Sequence, residues 1–331
     1  MLECSGSLMP KAILGIDGGG TKTHAVLVDL HGNILGTAAN GGANWERIGL
    51  AAVEKSLDEL INTVLVKANT AREDIAASTF ALAGIDWHED EELFAPIVKT
   101  LDLQGRSNLV NDSIAALFAG IPDGIGCVSI AGTGGKTAGS DGDTTLQTMG
   151  MELGEGGGAG QLINLALDSI ARMHHGSAKS TQMYLRIPKA VGFSSPEDFF
   201  ISIARGRVRL DERLSPLIFE LAVSGDTAAL DVVNRVAHQH AIDIHGIATQ
   251  LNFHHKPITV IRAGGLHTAG CAVFDATFES EVKRLLGNAH VHVLDIAPAF
   301  GAVIHAAHKF FGALAPEFLE NLLAAARKVE L

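Results

Sequence analysis

The chain has 331 residues, 47% of them hydrophobic and 19% charged, a composition that excludes a disordered protein and allows two domains with sizeable cores. Asp and Glu outnumber Lys and Arg by 37 to 25, and the formal net charge of -12 disfavours nucleic acid as a partner. Cys4, Cys127 and Cys271 follow no disulfide or zinc spacing, and no apolar segment is long enough for a membrane span or a signal peptide. We therefore expect a cytoplasmic protein without a membrane partner, with residues 1–9 as a loose tail or an appended segment.

The first half of the chain is predicted to begin with a meander of three strands, near residues 12–16, 24–30 and 34–38. Apolar residues at steps of three and four, from Leu50 to Leu65, then predict an amphipathic helix of about 20 residues. Two further strands, within STFALAG and NLVND, alternate with predicted helices near Glu91–Leu101 and in SIAALFAG.

The second half is predicted to repeat this order, because GCVSIAGTGGKTAGS again predicts a strand, a glycine turn and a second strand. Gly132 there occupies the place that Gly18 has in the first half, which favours an ancient duplication. Long helices are predicted over residues 161–174 and 227–253, and buried strands in PITVIRAGG and AHVHVLD. Two helices, from about Ala299 and Pro316, are predicted to close the chain, and the second of them would serve an interface or complete a core.

The two glycine turns, GIDGGGTKT and IAGTGGKT, are of a kind that binds phosphate through bare backbone amides. The second turn fails the P-loop pattern, because Ile130 stands where the first glycine is required. The first turn fails the dinucleotide-binding fingerprint, because the segment after Gly20 is strand-like rather than helical. A strand–turn–strand hairpin that grips phosphate at its tip fits both copies, and two tips facing each other across a cleft would hold a triphosphate. The alternative is a pair of ordinary hairpins.

Five blocks occur in a fixed order: GIDGGGTKT, LVNDSIAAL, IAGTGG, LGEGGGAG and RAGGL. Together they resemble the actin, sugar kinase and heat-shock ATPase superfamily, and within it the N-acetylglucosamine kinase branch of the BadF/BadG ATPase family. The resemblance implies an α/β fold of two ribonuclease-H-like domains, formed by residues 10–116 with 298–331 and by residues 117–297. It further implies ATP in the cleft between these domains, a sugar deeper in that cleft, and closure of the domains to exclude water.

The resemblance also assigns residues to the nucleotide and to its metal ion. Asp17 would hold Mg²⁺ through water, since hard cations prefer oxygen ligands, although an aspartate that favours a turn is the alternative. Lys22 would reach the phosphates or point into water, and small residues beside the adenosine would equally serve close packing. The residues assigned to ATP are Gly18, Gly19, Gly20, Thr21, Lys22, Gly132, Thr133, Gly134, Ala222, Gly264 and Gly265.

Asp112 is the residue we predict to be the catalytic base. It follows the strand NLV and precedes the helix SIAALF, which is where open α/β sheets present reactive groups. Its position is equally that of an ordinary helix N-cap. The resemblance favours catalysis, in which a carboxylate accepts the proton of the attacking hydroxyl during phosphoryl transfer and a sugar 6-phosphate results.

For the sugar, the resemblance assigns Asn44, Gly84, Asp112, Thr133, Glu155 and Ala159. Trp45 would stack on the sugar ring or be half-buried in the core. The chain departs from the family pattern GDEG, because it reads GEGG with Met149 near the place of a family tryptophan. We therefore expect an N-acetylglucosamine kinase that acts at the 6-hydroxyl, with glucosamine, N-acetylmuramate and N-acetylmannosamine as open alternatives. A homodimer is also open.

Other functions and sites are less favoured by the sequence. The ATPase activators of acyl-CoA dehydratases and reductases carry cysteines for a shared iron–sulfur cluster, and Cys127 lies within a predicted strand. A sugar-responsive repressor needs a helix-turn-helix before the first strand, and few residues precede that strand. A chaperone needs a further domain. The histidines at positions 238, 240, 245, 254 and 255 do not share one helical face, so we expect surface or capping roles for them.

Overall fold

The computed structural model describes residues 12–101, 103, 106–253, 256–329 and 331. Cys4, His254, His255 and residues 1–9, all considered above, lie outside the described residues. The chain divides into two compact units. Unit 1 contains the described residues up to Ile125 together with Leu294–Leu331, and unit 2 is Gly126–Val293.

Unit 1 is built on a mixed five-stranded sheet in the order β3-β2-β1-β4-β5. The first three strands form the predicted antiparallel meander, and β4 and β5 run parallel to β1. The strands are β1 (Ala12–Gly18), β2 (Lys22–Asp29), β3 (Ile34–Gly41), β4 (Ile75–Leu82) and β5 (Arg106–Asn111), and the helices among them are α1 (Trp45–Ile48), α2 (Leu50–Ala68), α3 (His88–Thr100) and α4 (Asp112–Gly120).

Unit 2 contains a second mixed five-stranded sheet, in the order β10-β9-β6-β7-β8. Its strands are β6 (Gly126–Ala131), β7 (Gly135–Ser140), β8 (Thr145–Gln147), β9 (Ile258–Ala263) and β10 (Ala289–Val293). Its helices are α5 (Ala159–His174), α6 (Met183–Ala190), α7 (Pro196–Ala204), α8 (Ser215–Val223), α9 (Thr227–Gln250), α10 (Gly265–Thr268) and α11 (Ala272–Leu286).

The two sheets have the same topology. In each unit an antiparallel meander of three strands is followed by two strands parallel to the first of them. The glycine turn joins the first two strands of each sheet, so both predicted hairpins are confirmed as hairpins. Such a repeated topology is what the duplication hypothesis predicts.

Two C-terminal helices, α12 (Pro298–Phe311) and α13 (Pro316–Ala326), belong to unit 1. Helix α12 packs closely against the backbone of α4, since a Cβ at Gly301 would lie 1.8 Å from the carbonyl oxygen of Ala115. Helix α13 buries Phe318 and Leu322 in the core that contains β1 and α12, which corresponds to the core alternative. The predicted domain boundary after residue 116 falls inside α4, whereas unit 1 extends to Ile125.

The strongly periodic helices were predictable, and several helices of unit 2 were not. Helix α2 buries the apolar residues on which its prediction depends. The sequence analysis misses α6, α7, α8 and α11, although the side chains of Ser195 and Asp226 cap α7 and α9 as their residue types favour. Among the described residues, none of the helices combines the length and the apolar character needed to span a membrane.

Candidate active site

The first hairpin tip, residues 18–21, connects β1 to β2 in unit 1. The Gly19 amide donates to the carbonyl oxygen of Lys22 at 2.9 Å, and the Gly19 carbonyl accepts from Ala43 at 3.1 Å. In the described part of the chain, no backbone carbonyl accepts from the amides of Gly20 and Thr21, which are exposed. The tip is therefore fixed at Gly19, and the next two amides donate to no backbone carbonyl, as a phosphate site requires.

Arg47 is a cationic residue at this tip that the sequence analysis missed. Its Nη1 atom lies 3.4 Å from the carbonyl oxygen of Gly20, and the residue is exposed. The four-residue helix α1 places it there, three residues after Asn44. Lys22 begins β2 and is also exposed.

The second hairpin tip, residues 132–134, connects β6 to β7 in unit 2. Two amides at the start of α5 bind its carbonyl groups: Ala159 donates to Gly132 at 2.8 Å, and Gly160 donates to Thr133 at 3.4 Å. The Gly132 amide donates to Gly134 at 2.9 Å. Two carbonyl groups of the tip therefore bind α5, and the amides of Thr133 and Gly134, both exposed residues, donate to no backbone carbonyl of the described residues.

The residues predicted to contact the adenosine have different surroundings. Gly264 follows β9 with a φ of +88°, and a Cβ there would lie 2.8 Å from the amide nitrogen of Gly132. Gly264 therefore lies directly beside the second tip, and the neighbouring Gly265 has open space around it. Ala222 is 1% exposed in the apolar core of unit 2, an environment typical of a close-packing residue.

Asp17 lies near the end of β1, directly before the first tip. Burial raises the pKa of its carboxyl group to about 8, and the charge of Asp112 raises it further. A carboxyl group whose ionisation is opposed by burial and by a second carboxylate is typical of a site for a cation or for proton transfer. No group of three or more His, Cys, Asp or Glu side chains able to hold a metal occurs among the described residues.

Asp112 is the first residue of α4, and Asn111 is its N-cap. The Asn111 Oδ1 atom accepts from the Ser113 amide at 3.0 Å and from the Ser113 hydroxyl at 2.6 Å. The alternative role of Asp112 as the N-cap is therefore wrong. The Asn111 amide group donates to Asp86 Oδ1 at 2.9 Å, so Asp86 and Asn111, both missed by the sequence analysis, fix the start of the helix that carries Asp112.

Asn44 and Gly84, two predicted sugar residues, lie together in unit 1. A Cβ at Gly84 would be 3.5 Å from Asn44 Oδ1, an atom that is buried and has no hydrogen-bond partner among the described residues. Gly84 has a φ of +86°, and its carbonyl accepts from Trp45 Nε1 at 2.6 Å. Trp45 is half-buried with its ring edge-on to Phe94, so it corresponds to the core alternative.

Glu155 and Ala159, the sugar residues predicted in unit 2, are both buried. The carboxylate of Glu155 accepts from the amides of Gly150, at 3.2 Å, and Met151. It therefore organises the segment before it, which includes the exposed Met149. Ala159 begins α5 and holds the second tip through its amide.

A family model, described as the BadF/BadG/BcrA/BcrD ATPase family, matches residues 14–306. The chain belongs to the BadF/BadG/BcrA/BcrD ATPase family. This family member is 26% identical over 309 residues to the N-acetylmuramic acid/N-acetylglucosamine kinase of Clostridium acetobutylicum, covering 89% of this chain and 97% of the relative.

Two solved structures share the fold of this family member. One is a candidate N-acetylglucosamine kinase from Chromobacterium violaceum, with a TM-score of 0.66, 18% identity, and coverage of 89% of this chain and 98% of that one. The other is a glucokinase of the ROK family from Streptomyces griseus in complex with glucose and AMPPNP, with a TM-score of 0.54, 18% identity, and coverage of 89% and 98%. The predicted α/β architecture with two actin-like domains is confirmed.

In this family member His240 is not a surface or capping residue, so that prediction was wrong for it. The ring is fully buried, and its position three or four residues from Val236, Ala237 and Ile244 places it on the buried face of α9. That spacing is the signal that sequence analysis overlooked. His238 and His245 are partly exposed, and His238 Nδ1 lies 3.3 Å from Glu281.

Proposed function

We propose that this protein is an ATP-dependent amino sugar kinase that phosphorylates N-acetylglucosamine at its 6-hydroxyl group. The observation that carries the proposal is the pair of interacting carboxylates, Asp17 and Asp112, beside a hairpin tip with exposed amides. The membership of an ATPase family and the similarity to an N-acetylmuramic acid/N-acetylglucosamine kinase support the same reaction.

We assign phosphate binding to the amides of both tips, residues 18–21 and 132–134. Exposed amides without a protein acceptor are donors that a phosphate can take up without breaking a bond within the protein. Lys22 and Arg47 add positive charge beside the first tip. Ala222, Gly264 and Gly265 remain our predictions for the adenosine, of which Gly264 is supported by its contact with the second tip.

The residues present fit a magnesium ion. Asp17 offers a partly buried carboxylate whose ionisation is disfavoured, and a bound cation would favour its charged form. The described residues form no group of three or more possible ligands there, which suits Mg²⁺, because this ion commonly takes one or two carboxylates together with waters and substrate phosphates. When bound, the ion would neutralise phosphate charge, and Asp17 is the residue that would hold it.

We assign the role of base to Asp112. In the proposed reaction the sugar 6-hydroxyl attacks the terminal phosphorus, a new oxygen–phosphorus bond forms, and the bond to the ADP leaving group breaks. Asp112 accepts the proton of the attacking hydroxyl. Because Asn111 already caps α4, the carboxylate of Asp112 is not needed for capping.

For the sugar, Asn44 has the strongest structural support. Leaving a buried carbonyl oxygen without a partner costs about 1–3 kcal/mol, and a sugar hydroxyl that donates to Asn44 Oδ1 would remove this cost. Gly84 lies beside it, and Thr133, Glu155 and Ala159 remain predictions. The exposed Met149 stands near the place where the family resemblance leads us to expect a tryptophan, so N-acetylmuramate, one of the two sugars that the Clostridium relative is named for, is the alternative substrate.

An assay of ADP release tests the proposal with N-acetylglucosamine, N-acetylmuramate, glucosamine and N-acetylmannosamine. We expect Asp112→Asn to retain ATP and sugar binding while kcat falls by ~10² or more, the scale of positioned-base catalysis. Asp123→Asn, at an exposed turn after α4, is the control and should be as active as the wild type. Near-normal kcat in Asp112→Asn would remove Asp112 from the mechanism, and no ADP release with any of the sugars would reject the kinase.

A further inference from the structure

Three buried polar side chains in unit 2 form a hydrogen-bonded series next to the second tip. Ser129, His240 and His267 are each at most 1% exposed. The Ser129 hydroxyl oxygen is 3.0 Å from His240 Nδ1 and 3.0 Å from His267 Nε2. At the other end, His240 Nε2 is 2.9 Å from the carbonyl oxygen of Gly157.

The direction of each hydrogen bond in this series follows from the carbonyl group of Gly157, which can only accept a hydrogen bond. His240 Nε2 must therefore carry a hydrogen. Burial lowers the pKa of His240 to about 4, so at neutral pH the ring has a single proton and Nδ1 accepts from the Ser129 hydroxyl. The Ser129 oxygen in turn accepts from His267 Nε2, which leaves His267 Nδ1 without a partner among the described residues.

Helix α9 binds a second backbone group, the amide of Gly156, next to the carbonyl group of Gly157. Asp243, which follows His240 by three residues and lies on the same helix face, accepts from the Gly156 amide at 2.5 Å. Gln239 donates to Asp243 at 3.0 Å and to the Gly154 carbonyl at 3.2 Å. The glycine loop, which we define as residues 154–158, is therefore fixed from α9 by both a donor and an acceptor.

The glycine loop packs against the backbone of the second tip so closely that there is no room for a side chain at the contact. A Cβ at Gly158 would lie 2.3 Å from the carbonyl oxygen of Gly132, and one at Gly135 would lie 2.0 Å from that of Gly156. A Cβ at Gly156 would in turn lie 2.7 Å from the ring of His240. A displacement of His240 is thus transmitted through backbone contacts to residues 132–134.

We propose that His240 is a positioning residue, which through the hydrogen bond from its Nε2 to Gly157 fixes the glycine loop and thereby the phosphate-binding amides of the second tip. The phosphate part of this inference rests on the proposed function. Ser129 and His267 act through His240, because they hold its ring in the tautomer and orientation that the bond to Gly157 requires.

A pair of substitutions separates this role from simple loss of packing. The side-chain amide of His240→Gln extends as far as Nε2 and can donate to Gly157, whereas that of His240→Asn extends only as far as Nδ1. We expect His240→Asn to raise the KM for ATP by ~10-fold, the loss of one hydrogen bond, with a smaller effect on the KM for the sugar. His240→Gln should remain within ~3-fold of the wild type, since it restores that bond.

Two further measurements make the test independent of activity. His305→Asn is the control, because His305 is a buried histidine in unit 1 that bonds to Thr79 at 2.9 Å; it should lower the melting temperature without changing the KM for ATP. Deuterium exchange should increase at residues 154–160 and 132–134 in His240→Asn and not in His240→Gln.

The outcomes separate this inference from the kinase proposal. Similar KM values for the two His240 variants, or a uniform increase in exchange over unit 2, would overturn the positioning role. If the wild type releases no ADP with any sugar, the proposed function fails, and the exchange measurement alone decides whether His240 positions the loop.

Discussion

Gly158→Ala is the substitution that most directly tests the support of the second tip. The added methyl group would lie 2.3 Å from the carbonyl oxygen of Gly132 and 2.5 Å from that of Gly134. Both atoms belong to backbone rather than to the end of a flexible side chain, so the tip itself must move. Gly160, two residues later, offers a matched control, because its nearest atom, the carbonyl oxygen of Thr133, is 3.9 Å away.

The size of the expected effect of Gly158→Ala follows from the overlap between the added methyl group and the carbonyl oxygen of Gly132. An ordinary carbon–oxygen contact is longer than 2.3 Å by about 1 Å, which is the displacement that Gly158→Ala requires of the tip. Overpacking of this kind destabilises a fold by about 1–3 kcal/mol, and a displacement of about 1 Å at a reacting group costs up to ~10² in rate. Gly160→Ala meets no such overlap and should stabilise α5 by up to about 1 kcal/mol.

The assay measures the KM for ATP, kcat and the urea midpoint of both variants. We expect Gly158→Ala to lower kcat/KM for ATP by 10-fold or more and to shift the midpoint downward, and Gly160→Ala to match or exceed the wild type in stability. If both alanine variants had the wild-type kcat/KM and midpoint, the tip would not depend on the glycine loop, and the reasoning would be refuted.

Two further predictions concern a side chain and a pH range. Asn44→Ala should raise the KM for N-acetylglucosamine by ~10-fold without lowering stability, because Asn44 Oδ1 has no partner among the described residues and its removal relieves the cost of an unpaired buried oxygen; an unchanged sugar KM, with the KM for ATP as internal control, would contradict this. Burial lowers the pKa values of His240 and His305 to about 4, so the unfolded chain binds more protons than the folded one between about pH 6.5 and pH 4. Stability should therefore be fully present above that range and fall by about 2 kcal/mol per histidine from pH 7 to pH 5, as urea unfolding would show; His305→Gln should flatten this decline, and equal slopes in both proteins would disprove the assignment.

The sequence predicts the parts of this fold that depend on local pattern. The meander, the two hairpins and helix α2 each have an alternation or a period that a short window contains, and glycine marks both tips. Short helices such as α6 have little periodic signal, and Pro188 within α6 argues against a helix at all. Their position is decided by packing against the rest of unit 2.

The candidate site was predictable where one residue type has one plausible role and not where neighbours compete. Asn111 and Asp112 are both good N-cap residues, and only the structure shows that Asn111 takes the cap and leaves Asp112 at the first helical position. The hydrogen-bond partners of His240 are Ser129, 111 positions earlier in the chain, and a loop carbonyl. Contacts over such separations leave no mark in a local window.

The two hairpins share a topology but are supported in different ways. The first tip is held by the segment directly after β3, where Ala43 donates to Gly19 and a Cβ at Gly42 would lie 2.5 Å from the carbonyl oxygen of Gly20. The second tip instead packs against the glycine loop, and that loop also contains Glu155. The amides that we propose to bind phosphate and a predicted sugar residue are thus joined within unit 2 by three residues of glycine backbone. Any change that moves Glu155 should therefore alter the KM for ATP as well as the KM for the sugar, whereas changes at Asn44 should alter the KM for the sugar alone.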